Sequence, residues 1–90
     1  MNTYKAKVQV TLKDGVLDPQ GKAVNQGIAS LGFKGVQDVR IGKFIELTLT
    51  ASSKNEAQMQ IQSMSEKLLA NPVIEKFDFT LSRLNGEESI

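Results

Sequence analysis

The chain has ninety residues, and its eleven basic and ten acidic side chains leave a net charge of +1. This excludes the basic surplus expected of a nucleic-acid or anionic-membrane binder. Cysteine and histidine are both absent, which removes disulfides, thiolate chemistry, the commonest general base and the commonest transition-metal ligand. With 40% hydrophobic and 23% charged residues, the composition suits one small domain with a single two-layer core. The first residues alternate where a signal peptide would carry an apolar block, and no apolar run reaches membrane-spanning length, so a cytoplasmic protein is expected.

Tyr4 to Lys13 alternates: Tyr4, Ala6, Val8, Val10 and Leu12 share one face, and Lys5, Lys7, Gln9, Thr11 and Lys13 share the other. This is the pattern of a half-buried antiparallel strand, ended by Asp14-Gly15. Asp18 then caps a helix whose first residue is Pro19, where a missing N–H costs nothing. Val24, Ile28 and Leu31 form its apolar stripe, and Gly32 supplies a left-handed stop. Gly27, unfavourable inside a helix, is expected to mark close approach to the sheet or a neighbour.

Val36–Ile41 and Phe44–Thr50 both alternate and meet at Gly42-Lys43, which predicts a central hairpin with glycine at the first turn position. Ser53-Lys-Asn-Glu56 reads as a capping box opening a second helix, with Ala57, Ile61, Met64 and Leu68 as its stripe and Leu69 at the edge. Asn71-Pro72 ends it, because the residue before proline is driven out of the α region. Phe77, Phe79 and Leu81 alternate with polar residues in a last strand, and residues 83–90 read as a polar tail after a domain of residues 1–82.

The order is β-α-β-β-α-β. It predicts an α+β two-layer sandwich in which two helices cover one face of a four-stranded antiparallel sheet. The other face would carry Lys5, Lys7, Gln9, Thr11, Arg40, Glu46, Thr48, Lys76 and Thr80, a polar surface of mixed charge. Unpaired outer strands leave that sheet open to association.

Few residues suggest chemistry. Gly32-Phe-Lys-Gly35 has the GxxG form of a KH-domain backbone clamp, but that loop joins two helices and a strand is expected here. The aromatic residues Tyr4, Phe77 and Phe79 fall in the core phase, so an RNA-stacking sheet is not expected either. Gly15 to Gly21 lacks the Gly-Lys-Ser/Thr ending of a phosphate loop. Asp38 and Glu46 could pair across the hairpin, although carboxylates on a sheet surface ordinarily solvate or meet lysine. Met59 and Met64 read as packing. No reaction emerges from these residues.

Three segments taken together are similar to the PurS family: Val16-Leu-Asp-Pro-Gln-Gly-Lys-Ala-Val24, Val36-Gln-Asp-Val-Arg-Ile-Gly-Lys-Phe-Ile-Glu46 and Lys67-Leu-Leu-Ala-Asn-Pro-Val-Ile-Glu75. The resemblance spans Lys5 to Leu81. It implies a non-catalytic small subunit of phosphoribosylformylglycinamidine synthase, in de novo purine biosynthesis. Such a subunit forms dimers or tetramers and joins a glutaminase subunit to a large ATP-dependent synthetase subunit, helping ammonia transfer. No cofactor is expected on this chain, although the complex uses ATP, Mg and glutamine. The matching positions are Asp18, Pro19, Gly21, Asp38, Gly42, Asn71 and Pro72, expected to be structural, and Arg40, Lys43 and Glu75, expected to contact partners. The rival reading is an ACT-type module that binds an amino acid; an acylphosphatase-like reading lacks its arginine in Asp14–Asp18.

Overall fold

The structure, a computed structural model, describes residues 1–84. Three strands, β1 (Asn2–Leu12), β2 (Gly42–Ala51) and β3 (Glu75–Leu84), form an antiparallel sheet in the order β2-β1-β3. Helix α1 (Pro19–Ser30) follows β1, and α2 (Lys54–Met64) follows β2 and runs into one turn of π-helix at Ser65–Leu69. The α+β class and the antiparallel sheet are those read from the alternation.

Alternation in β1 becomes burial because β1 is central. Tyr4, Ala6, Val8 and Val10 are at most 2% exposed. Their cross-strand partners Ile45, Leu47, Leu49, Phe77, Phe79 and Leu81 stand in the same phase but are only half-buried. Helix α2 supplies the second layer: Ala57 packs with Tyr4 and Ala51, and Ile61 packs with Ala6, Val8 and Val10. On the other face Lys5, Lys7, Gln9 and Thr11 line up with Thr48, Glu46, Phe44 and Gly42, and a Lys5–Glu46 ion pair at 3.9 Å crosses the strands.

Several expectations need correction. Val36–Ile41 forms no strand, so no hairpin turns at Gly42-Lys43; Gly42 pairs with Thr11 at the start of β2. The amide of Ile41 is taken by the Asp18 carboxylate and the guanidinium of Arg40 reaches the exit of β1, so the segment is tied down by side chains in place of a ladder. Arg40 therefore does not stand on the outer sheet face. Helix α1 does not join α2 over the sheet: neither hydrophobic cluster contains an α1 residue. Around Gly27 a methyl group would meet nothing within 4 Å among the described residues, so its predicted close approach is not made among them.

The second helix also departs from its stripe. A π turn inserts an extra residue per turn, and the core-facing position passes to Ser65, Leu69 and Ala70 while Leu68 is 81% exposed. At its start Ser53 Oγ accepts from the Glu56 amide at 3.1 Å, as predicted. The Glu56 carboxylate reaches back to the amide and hydroxyl of Ser52, one residue before the cap. The last strand continues to Leu84, so Arg83 and Leu84 are not tail; the remainder of the predicted tail lies outside the described residues.

Candidate functional site: a clasp at one end of the sheet

The ten positions singled out by resemblance lie in three separate stretches of sequence, and the fold gathers them where β1 ends and β2 and β3 begin. The first group is built on Asp18, which caps α1. Its Oδ1 accepts from the Gly21 amide and its Oδ2 from the Ile41 amide, each at 2.8 Å. One carboxylate thus ties the start of a helix to a segment twenty-three residues later. These two amides, Ile41 first and Gly21 second, hold the carboxyl of Asp18 below its ordinary pKa against the opposing effect of burial. The positive charge of Arg40 adds to the lowering.

Arg40 completes this clasp from the other side. Its guanidinium donates to the carbonyls of Lys13 at 3.0 Å, Val16 at 3.2 Å and Leu12 at 3.3 Å. These carbonyls lie at and just beyond the end of β1, and a planar five-donor group can satisfy several at once. Gly21 is buried, and a Cβ there would overlap the Val39 carbonyl oxygen, so only glycine allows the returning chain this close. Gly42 plays the same part against the Val10 carbonyl. Pro19 occupies the first helical position as expected. Asp38 is exposed and, with Asp18, Lys22 and Arg40, lines an open cleft of about 390 Å³.

The second group surrounds the loop before β3. Glu75 Oε1 accepts from the Asn71 amide at 2.6 Å and its other oxygen stands 3.8 Å from Lys43 Nζ, which also donates to the Leu69 carbonyl at 3.1 Å. Asn71 Oδ1 accepts from the Val73 amide, closing a turn over Pro72. Lys13 links the two groups: its amide donates to the Ile74 carbonyl, its Nζ to the Pro72 carbonyl, and its own carbonyl accepts from Arg40. The sequence reading missed Lys13, which carries no sign beyond its place in an alternating strand. It also missed Ser52, whose role only the Glu56 contact reveals.

Chemically, the arrangement positions backbone. Its carboxylates and cations face amides and carbonyls of their own chain, and among the described residues no three of the ligating side chains approach closely enough to hold a metal ion. The Asp38–Glu46 juxtaposition across a hairpin does not arise, since that hairpin is absent.

Comparison with known proteins places the chain in a family. Residues 5–83 match the PurS family model, described as phosphoribosylformylglycinamidine (FGAM) synthase. A Synechocystis protein named phosphoribosylformylglycinamidine synthase subunit PurS is 47% identical over 94% of this chain and 85% of its own length. The Bacillus subtilis protein of the same name is also 47% identical, over 90% of this chain and 95% of its own. Among solved structures, PurS from Thermus thermophilus superposes with a TM-score of 0.82 at 39% identity, covering 92% of this chain and 99% of that one. The structure of PurLQS from Thermotoga maritima contains a chain that matches with a TM-score of 0.81 at 28% identity, covering 93% of this chain and all of that one. With the family model, the sequence relatives and the fold matching over nearly its whole length, the chain belongs to the PurS family.

Proposed function

We propose that this chain is the small, non-catalytic subunit of a phosphoribosylformylglycinamidine synthase complex in de novo purine biosynthesis. In this reading it self-associates as a dimer or tetramer, joins a glutaminase subunit to a large ATP-dependent synthetase subunit, and helps ammonia pass between them. The observation that carries the reading is identity of 47% over 94% of the chain to a protein named as that subunit. Support also comes from a neighbour whose structure is described as PurLQS. The chemistry is compatible: the chain has neither histidine nor cysteine, and the charged residues of the clasp brace its own backbone. Ammonia escapes to water or takes a proton unless an interface excludes solvent, so sealing and alignment alone can set a rate.

Within the clasp, Lys43 is the residue we assign to partner contact first, because more than half of its side chain is exposed at the rim. Glu75 orients that amine, and Arg40 contributes by fixing the loop beside it. No cofactor is assigned to this chain; ATP, Mg and glutamine belong to the complex. No helix among the described residues is long and apolar enough to cross a membrane, and a cytoplasmic site of action is part of the proposal.

The test is co-expression with the glutaminase and synthetase of the same host, followed by co-purification in ATP, Mg²⁺ and glutamine. Recovery of the three together is expected. Omitting this chain should abolish glutamine-dependent turnover while ammonia-dependent turnover by the synthetase persists. Unchanged glutamine-dependent turnover without it would overturn the proposal.

A further inference from the structure

The end of α2 is built in a register that its own sequence does not favour. Ala57, Ile61, Met64 and Leu68 follow one another at four, three and four residues, the stripe of an unbroken α-helix. The backbone keeps that register only as far as Ser65. There the Ala70 amide donates to the Ser65 carbonyl, five residues back, at 2.9 Å. The extra residue in this turn carries Leu68 outward, to 81% exposure, although it is the fourth member of the stripe. Ser65 itself is fully buried, and its Oγ has no hydrogen-bond partner among the described residues, an unfavourable arrangement in an apolar layer. Single π turns inside α-helices are frequent at functional sites.

The ties that hold this register come from outside the helix. Lys43, in β2, donates from Nζ to the Leu69 carbonyl at 3.1 Å and stands 3.8 Å from one carboxylate oxygen of Glu75. The other oxygen of Glu75, at the start of β3, accepts from the Asn71 amide at 2.6 Å. Between these two tied residues Ala70 has extended backbone and is buried in the core cluster. In an α register Leu68 would lie over Ile61, seven residues away and within about 20° around the helix. The additional residue would pass into the loop before β3, because Asn71, preceding Pro72, is kept out of the α region. Ala70 would then leave the core, and the Leu69 carbonyl and Asn71 amide would lose their present partners. One register buries a leucine side chain; the other makes two charge-assisted hydrogen bonds. Those contributions are of the same order, so the two registers lie close in free energy.

We propose that the last turn of α2 is a two-register switch set by Lys43. It is π while the ammonium holds the Leu69 carbonyl and Glu75, and α when an acidic group of a partner protein draws that ammonium away. The lysine is the accessible member of the pair: its side chain is 55% exposed, against 18% for Glu75. A partner carboxylate binds the α register more tightly, because only there is the amine free of the Leu69 carbonyl, and this difference in affinity shifts the equilibrium. The trigger rests on the assignment of Lys43 to partner contact in the proposed function. The two registers themselves are properties of the chain alone.

Nuclear magnetic resonance of the full chain, deuterated and labelled with ¹³C and ¹⁵N, tests the switch. Relaxation dispersion should report one common exchange process at the amides of residues 66 to 71 and at Lys43 and Glu75. Lys43→Met imitates withdrawal of the ammonium and should raise the population of the α register about tenfold or more. The coupling across the hydrogen bond from the Ala70 amide to the Ser65 carbonyl should then give way to one from the Leu69 amide to the same carbonyl. Leu68→Ser, at a position exposed in the π register, should leave the fold intact and abolish the exchange, since the α register no longer buries an apolar side chain there. Flat dispersion in the native chain, an unchanged Ala70–Ser65 coupling in Lys43→Met, or exchange that persists in Leu68→Ser would each overturn the inference. None of these measurements involves another subunit, so their failure leaves membership of the complex, tested by co-purification, standing.

Discussion

The two helices carry similar sequence signals and meet different fates. Both begin at a capped N-terminus, Asp18 for α1 and Ser53 for α2, and both show apolar residues at spacings of three and four. Yet Ile61 of α2 is fully buried, while Val24 of α1 is 43% exposed. An amphipathic stripe states that a helix will be covered, without stating by what. The α2 side is bound to the sheet by apolar contacts close to the chain's own strands; the α1 side is bound at its base, by hydrogen bonds accepted by Asp18 and donated by Arg40.

That contrast sets expected sizes for substitutions. Ile61→Ala should be the most damaging, at about 2–5 kcal/mol in urea unfolding, because it removes side-chain volume from the packed layer. A loss below 1 kcal/mol would mean that α2 is held no better than α1. Gly21→Val should follow at about 1–3 kcal/mol, since its side chain would collide with the Val39 carbonyl and open the base of α1. Amide hydrogen exchange should then rise at Gly21 and Ile41 before it rises in β1.

Arg40→Ala should have a smaller effect on stability, about 1 kcal/mol, because its three acceptors lie at the surface where water replaces the guanidinium. The pH dependence tests the same clasp. The folded pKa of Asp18 is depressed, so its stabilisation is complete above the ordinary aspartate value and is lost as pH falls through the lower folded value. Asp18→Asn should lower the melting temperature at neutral pH and flatten this acid limb; an unchanged limb would show that another carboxylate governs it. Smallest is Gly27→Ala. In an isolated chain it should add up to about 1 kcal/mol of helix stability, read from thermal melts at low concentration. Where a partner approaches that backbone, it should also weaken association.

Much of the fold was legible locally. Alternation placed the core face of β1 residue by residue, since side chains in a strand alternate with a period of two whatever lies beyond. Asp18, Pro19, Gly32 and Ser53 marked helix ends because caps and stops answer backbone groups within a few residues. The hairpin failed for a reason outside that range. Val36–Ile41 alternates like a strand, but Asp18 claims the Ile41 amide and Arg40 spends its donors on the carbonyls of Leu12, Lys13 and Val16. The π turn was equally hidden, and with it the replacement of Leu68 by Leu69 and Ala70 on the core side. Resemblance picked out Asp18, Gly21, Arg40, Lys43 and Glu75 without showing that they meet at one end of the sheet.

Residue order alone settled the strand faces, the helix starts and the family, because each depends on neighbours along the chain or on matching letters. Contacts between distant residues settled the number of strands, the clasp and the outward course of α1. Those outcomes rest on competition for backbone hydrogen bonds and apolar area between segments far apart in sequence, and no local pattern records which of them wins.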